Sequence, residues 1–227
     1  MGSVSARVMG GVVVALATTA GSATADVIAT FGYTDLNGRY VKSSATTGTF
    51  TARADDVTLH TGGDVTRLAA PGGTAQFDTG FMGLGTFADV VVTLSVTVTG
   101  VGEALGSGTV VLTDIDGDTM TADISGIWQS PGGGVVFYSG LMNNVFFNDN
   151  GAADGTFDGI SGDFDMDLPG DPPYTGAFSQ LYIRFTGGFF TNNFNNQTVS
   201  ADGQIVPAPA ALALLGVAGL AARRRRA

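Results

Sequence analysis

Residues 88–100, ADVVVTLSVTVTG, set Val90, Val92, Leu94, Val96 and Val98 on one side and Val91, Thr93, Ser95, Thr97 and Thr99 on the other. A period of two is that of a strand with one buried face, and no window of comparable quality repeats at the helical period. The rest of the chain agrees. Nineteen of the twenty acids are Asp and only Glu103 is Glu, and there are 35 Gly, a bias towards turns and caps rather than helix interiors. Further strands are predicted at 49–54, 57–60, 65–69, 74–77, 134–138, 179–185 and 197–206. Asn37-Gly38 and Asp116-Gly117 each stand between strand-like arms and read as two-residue type I′ hairpins. Residues 143–174 are too rich in Asp, Gly and Pro for core strands and read as a long surface loop. The expected fold is all-β, an antiparallel sandwich of jelly-roll kind. No fixed-period repeat points to a solenoid or propeller. With no cysteine, such a fold depends on its core rather than on disulfides.

The two ends have a different character. Arg7, the apolar run 8–17 and Ala23-Thr24-Ala25 before Asp26 follow the plan of a secretory signal peptide, with cleavage expected after Ala25. At the other end, 206–227 reads VPAPAALALLGVAGLAARRRRA. Pro207 and Pro209 mark the start of a helix rather than its interior, and the run that follows is about the shortest that crosses a bilayer. Arg223, Arg224, Arg225 and Arg226 then hold the C-terminus in the cytoplasm. The chain divides into a signal helix (1–25), a β-sandwich ectodomain (26–205) and a tail with a transmembrane helix (206–227).

In its Val206, Pro207 and Pro209, its apolar helix and its arginine cluster, the tail resembles a PEP-CTERM sorting signal; Ala208 stands where that family usually has Glu. The resemblance is confined to the tail. It implies handling by an exosortase, transient anchoring in the inner membrane, and export to the surface or matrix of a bacterium that makes extracellular polysaccharide.

Charge narrows the function classes. Between Asp26 and Asp202 the chain carries five basic residues against all twenty acids, a net charge of −15 that repels nucleic-acid backbones. Catalytic equipment is sparse. His60 is the one histidine and reads as a surface residue beside a glycine turn; Gly106-Ser107-Gly108 reads as a turn and lacks the pattern of a nucleophile elbow. Calcium suits the acidic segment, because hard cations take carboxylate and carbonyl oxygens from flexible loops. Asp163, Asp165 and Asp167 alternate like the first ligands of an EF-hand, although Leu168 and Tyr174 occupy the places of its Gly and Glu. Asp149, Asn150, Asp154 and Asp158 offer further oxygens; the competing reading is a solvated acidic loop. Asp114, Asp116 and Asp118 are accounted for by their hairpin turn. Phe185, Phe189, Phe190 and Phe194 read as core, with stacking on sugars as the other use. The expected role is non-enzymatic binding or structure linked to extracellular polysaccharide. The rival is a glycan hydrolase with paired Asp carboxyls about 5–10 Å apart in a cleft.

Overall fold

The computed structural model describes residues 26–78, 88–151, 154–184 and 188–208. Ala23, Ala25, Phe185, Pro209 and Arg223, Arg224, Arg225 and Arg226, with the expected signal and membrane helices, lie outside them. Among the described residues no helix is long and apolar enough to cross a membrane. The strands are β1 (Ala29–Lys42), β2 (Thr47–Arg53), β3 (Gly62–Arg67), β4 (Gly73–Phe77), β5 (Asp89–Gly100) and β6 (Glu103–Thr113). There follow β7 (Thr119–Gly132), β8 (Val135–Asn148), β9 (Thr156–Gly159), β10 (Gly162–Asp165), β11 (Tyr174–Arg184) and β12 (Phe194–Val206).

The alternation at 88–100 has the meaning expected of it: Val90, Val92, Leu94 and Val96 are buried, while Ser95 and Thr97 are exposed. Eight strands, in the order β1, β2, β5, β6, β7, β8, β11, β12, each pair antiparallel with the next, and β12 returns to pair with β1. The sheet therefore closes on itself, which leaves these eight strands without a free row of backbone donors and acceptors along its full length. The fold is all-β and antiparallel, as expected. Its connections are not those of a jelly roll, because apart from the closing β12–β1 pair and two inserted hairpins, strands adjacent in the wall are adjacent in the chain. Short turns between antiparallel strands keep each one beside its predecessor and leave no crossover to make.

The insertions are β3–β4 and β9–β10. The first half of β1 pairs with β3 and its second half with β2, so β4 projects as an edge. The β9–β10 hairpin lies against that edge, with the Ile160 amide donating to the Gln76 carbonyl at 2.7 Å. Phe157 and Phe164 stack at 5.6 Å between ring centroids, and Phe77 and Phe147 contact Phe157 at 5.9 Å each. Residues 143–174 are thus not one surface loop. β8 runs through to Asn148, and Phe157, Phe164 and Leu168 are buried.

Inside the closed wall the filling is aromatic. Phe50 on β2 meets Trp128 on β7 from the opposite side at 5.0 Å, and Phe190 contacts Trp128 at 5.1 Å and Tyr40 at 4.8 Å. Phe190 is therefore core, as expected, and Phe194 lies beside Tyr40. Large rings fit because glycines face them. A Cβ on Gly106 would lie 2.6 Å from Trp128 Nε1, one on Gly48 would run into the Tyr40 ring, and one on Gly203 into Phe31. Gly106 and Gly108 are therefore interior positions of β6, not a turn.

Two further local expectations change. Asn37-Gly38 makes no turn, since β1 runs straight through it. Gly38 is small because Val199 Cγ2 would lie 2.5 Å from a Cβ there, a demand of packing. Residues 57–60 form a turn, not a strand; His60 sits at its end with φ 57° and is exposed.

Because Gly203 lies directly opposite Phe31, Gly203→Val should cost about 1–3 kcal/mol by overpacking. Adding Phe31→Leu should return part of that loss. Chemical denaturation of the single and double variants measures both, and strict additivity would show that the two positions do not share space.

Candidate functional site

The loop between β6 and β7, Asp114-Ile115-Asp116-Gly117-Asp118, is where a hairpin was expected, but it spans five residues and is tied by its own first side chain. Asp114 Oδ1 accepts the amides of Gly117 at 2.9 Å and Asp118 at 2.7 Å, and Gly117 takes φ 102°. A left-handed residue there suits glycine. The result places two carboxylates in the interior: Asp114 is 1% and Asp118 0% exposed.

The segment after β8 closes over this loop. Asp114 Oδ2 accepts the Asp158 amide at 2.9 Å, Asp118 Oδ1 accepts the Asn150 amide at 3.0 Å, and Asn150 Nδ2 donates to the Asp116 carbonyl at 2.7 Å. Carboxylate oxygens of Asp114, Asp116 and Asp118 lie within 4.8 Å of one another, as do those of Asp116, Asp154 and Asp158. Asp116 belongs to both triads.

Electrostatics follow from the crowding. Burial, then the facing Asp116, pushes Asp114 up to about 7. Asp118 is raised by burial and then by Asp116, Asp149 and Asp154; Asp158 by burial and then by Asp154, Asp116, Asp163 and Asp118. The neighbours acting on these two by charge are thus all acids. Such a site favours bound protons or a bound cation.

Of the six aspartates expected to ligate a metal, Asp154 and Asp158 join the cluster and Asp149 acts on it through its charge. Asp149 Oδ1 itself accepts the Gly151 amide at 2.6 Å. Asp163, Asp165 and Asp167 do not converge. Asp163 and Asp165 alternate with buried Phe164 in the pleat of β10, while Asp167 lies past the strand's end, its amide donating to Asp165 Oδ1 at 2.8 Å. Asp163 sits opposite Asp158 in the β9–β10 hairpin, and the Asp165 carbonyl accepts from Arg67 Nη1. In the sequence Asp114, Asp116 and Asp118 read as turn residues, yet making the turn and presenting oxygens are compatible tasks. The repeated Asp of DIDGD was the available signal.

A second feature lies on the outer face of β12, β1 and β2. A groove of about 510 Å³ is lined by residues including Asn37, Arg39, Thr51, Arg53, Asn195 and Asn196. It forms where β12 slips register against β1 between Gly38 and Tyr40, with Asn196 at φ 52°. Bulges of this kind re-aim side chains. Arg53 is committed to Asp89 at 2.6 Å, whereas among the described residues Arg39 has no hydrogen-bond or ionic partner. Asn37 is held by Asp55 Oδ2 at 2.7 Å.

Comparison with protein-family models, with curated proteins and with solved structures finds no match to this chain.

Asp55 is the groove's fixed anchor. The Thr58 hydroxyl and amide, then Asn37 and the Val57 amide, hold its carboxyl well below the usual carboxylate range. A depressed folded value contributes stability above the unfolded value of ~3.9, and that contribution is lost as pH falls through the folded value. Asp55→Asn should therefore be less stable near neutrality and show a shallower loss of Tm below about pH 4. Melting curves of both proteins from neutral to strongly acid pH check this; parallel acid limbs would contradict it.

Proposed function

We propose that the chain is an exported cell-surface or extracellular-matrix protein with a non-enzymatic binding or structural role linked to extracellular polysaccharide. The observation that carries this reading is where the fold ends. The wall closes with Ala29 paired to Ile205 and Thr175 to Val206, so neither 1–25 nor the apolar stretch with its four arginines is needed to complete it. The two ends are then free to act as addresses: a signal peptide cut after Ala25, and a PEP-CTERM-like tail read by an exosortase after a pause in the inner membrane. Val206 ends the last strand and Pro207 follows at once, so a cut near this motif leaves the barrel whole. The groove at Arg39 offers amides and a guanidinium to sugar hydroxyls and carboxylates.

Mass spectrometry of the protein recovered from its native host tests the reading. The expected N-terminus is Asp26, and the expected C-terminus lies near Pro207 without the arginines. Replacing Arg223, Arg224, Arg225 and Arg226 with Gln should increase the share released with its tail uncut. Recovery of an intact chain beginning at Met1 in the cytoplasm would overturn the export claim.

One observation favours the rival hydrolase. Asp64 and Asp202 stand on either side of Gly32, on the strands flanking β1, and line a shallow depression with Thr30 and Gln204. Two strand spacings put their Cα atoms roughly 10 Å apart. Burial raises Asp202, the property of a general acid. If this pair is catalytic, Asp202→Asn abolishes release of reducing ends from host polysaccharide while leaving the melting temperature near that of the parent. No release by the parent protein itself would dispose of this alternative.

A further inference from the structure

We propose that Asp114, Asp116 and Asp118 bind one calcium ion, with Asp154 and Asp158, which meet Asp116, closing the site and so tying the β6–β7 loop to β9 and the residues just before it.

Two independent observations converge. The first is the pair of carboxylate triads that share Asp116. Oxygens around one calcium lie at 2.3–2.6 Å from it, so two ligands are at most about 5 Å apart, matching the separations within each triad. The second is Asp118 Oδ2. This atom belongs to a residue that is 0% exposed, and among the described residues it has no hydrogen-bond partner. Asp118 faces the cluster, since a carboxylate oxygen of it lies within 4.8 Å of those of Asp114 and Asp116. A buried carboxylate oxygen without a donor is costly and calls for an explanation; a cation at that point supplies one.

The chemistry of the ligand set selects the ion. Every candidate ligand is a carboxylate oxygen, which suits a hard cation and not zinc or copper. Several carboxylates drawn from two loops replace water around the ion, as calcium accepts, whereas magnesium keeps much of its hydration and demands a regular octahedron. The partner oxygens are already positioned by backbone bonds: Asp114 by the amides of Gly117, Asp118 and Asp158, and Asp118 by that of Asn150. The turn also has little room for change, because a Cβ on Gly117 would collide with Asn150 Nδ2. These bonds orient the carboxylates as supporting hydrogen bonds do around metals.

The ion's structural task follows from its position. Asp158 lies in β9 and Asp154 just before it, and the β9–β10 hairpin covers the edge of β4. Fixing β9 to the β6–β7 loop fixes the cover.

The test uses the purified full chain, stripped with a chelator and titrated with calcium chloride at fixed pH and ionic strength. Calorimetry should show one site per chain, and the melting temperature should rise with calcium as for any ligand bound only by the folded state. Asp118→Asn and Asp116→Asn should each weaken binding by about tenfold or more. Asp163→Asn should leave it nearly unchanged. In chelator, Asp118→Asn should melt at or above the parent, because it removes one of several repelling charges; in calcium the order should reverse. That reversal separates loss of the site from loss of the fold. The proposal fails if calcium gives only weak, multi-site heats that sodium chloride reproduces, if magnesium binds as tightly, or if Asp163→Asn abolishes binding while Asp118→Asn does not. Because the titration is done on isolated protein, its outcome is independent of whether the chain is exported.

Discussion

The structure depends on the pairing of β1 with β12. The other hydrogen-bonded ladders of the closed wall join strands that are neighbours in the chain, or would be but for an inserted hairpin, and can form as local events. The β1–β12 ladder joins residues 29–40 to residues 194–205 and turns a meander into a closed surface. Its cost is the loop entropy of almost the whole domain, and its return comes only when the interior is sealed. Once it forms, Phe31 on β1 reaches Phe178 on β11 at 6.0 Å, and Tyr40 gains Phe194 from β12 at 5.6 Å. Closure and core formation are therefore coupled.

That coupling explains how aromatic rings and glycines are distributed. A wall of eight strands leaves an interior just wide enough for side chains. Here Trp128, Tyr40, Tyr138, Phe50 and Phe178 occupy it, all nearly or fully buried. Gly48, Gly106 and Gly203 provide the depth on facing or diagonal positions. Much of the glycine in the composition thus serves packing between strands, where sequence reading assigns it to turns.

How much was legible follows from which interactions are local. The alternation in 88–100 survives into the structure because one face of β5 meets the core along most of its length. Asn37-Gly38 misleads because the same dipeptide serves a turn or a close approach, and only Val199, far along the chain, decides which. Asp163 and Asp165 look like the start of a ligand series because a strand and an EF-hand loop both space residues by two; Phe164, buried between them, identifies the strand, and Asp167 lies beyond its end. The acidic cluster was half legible. Asp154 and Asp158 were in view, but their meeting with Asp116 comes from two segments whose contact no local pattern encodes. The order of strands was not legible at all, because nothing near Ala29 names Ile205 as its partner.

The adjacency of Ala29 and Ile205 also sets how the molecule responds to force. β1 begins and β12 ends at one pole of the barrel, on antiparallel neighbours. Tension applied between the ends acts across the β1–β12 ladder and opens its bonds one after another, as a zipper opens, instead of loading them together in shear. A chain held at both ends would yield early at this seam. Held at one end only, the same barrel carries no tension across the seam. The geometry suits an object moored at one point and is poorly suited to spanning two.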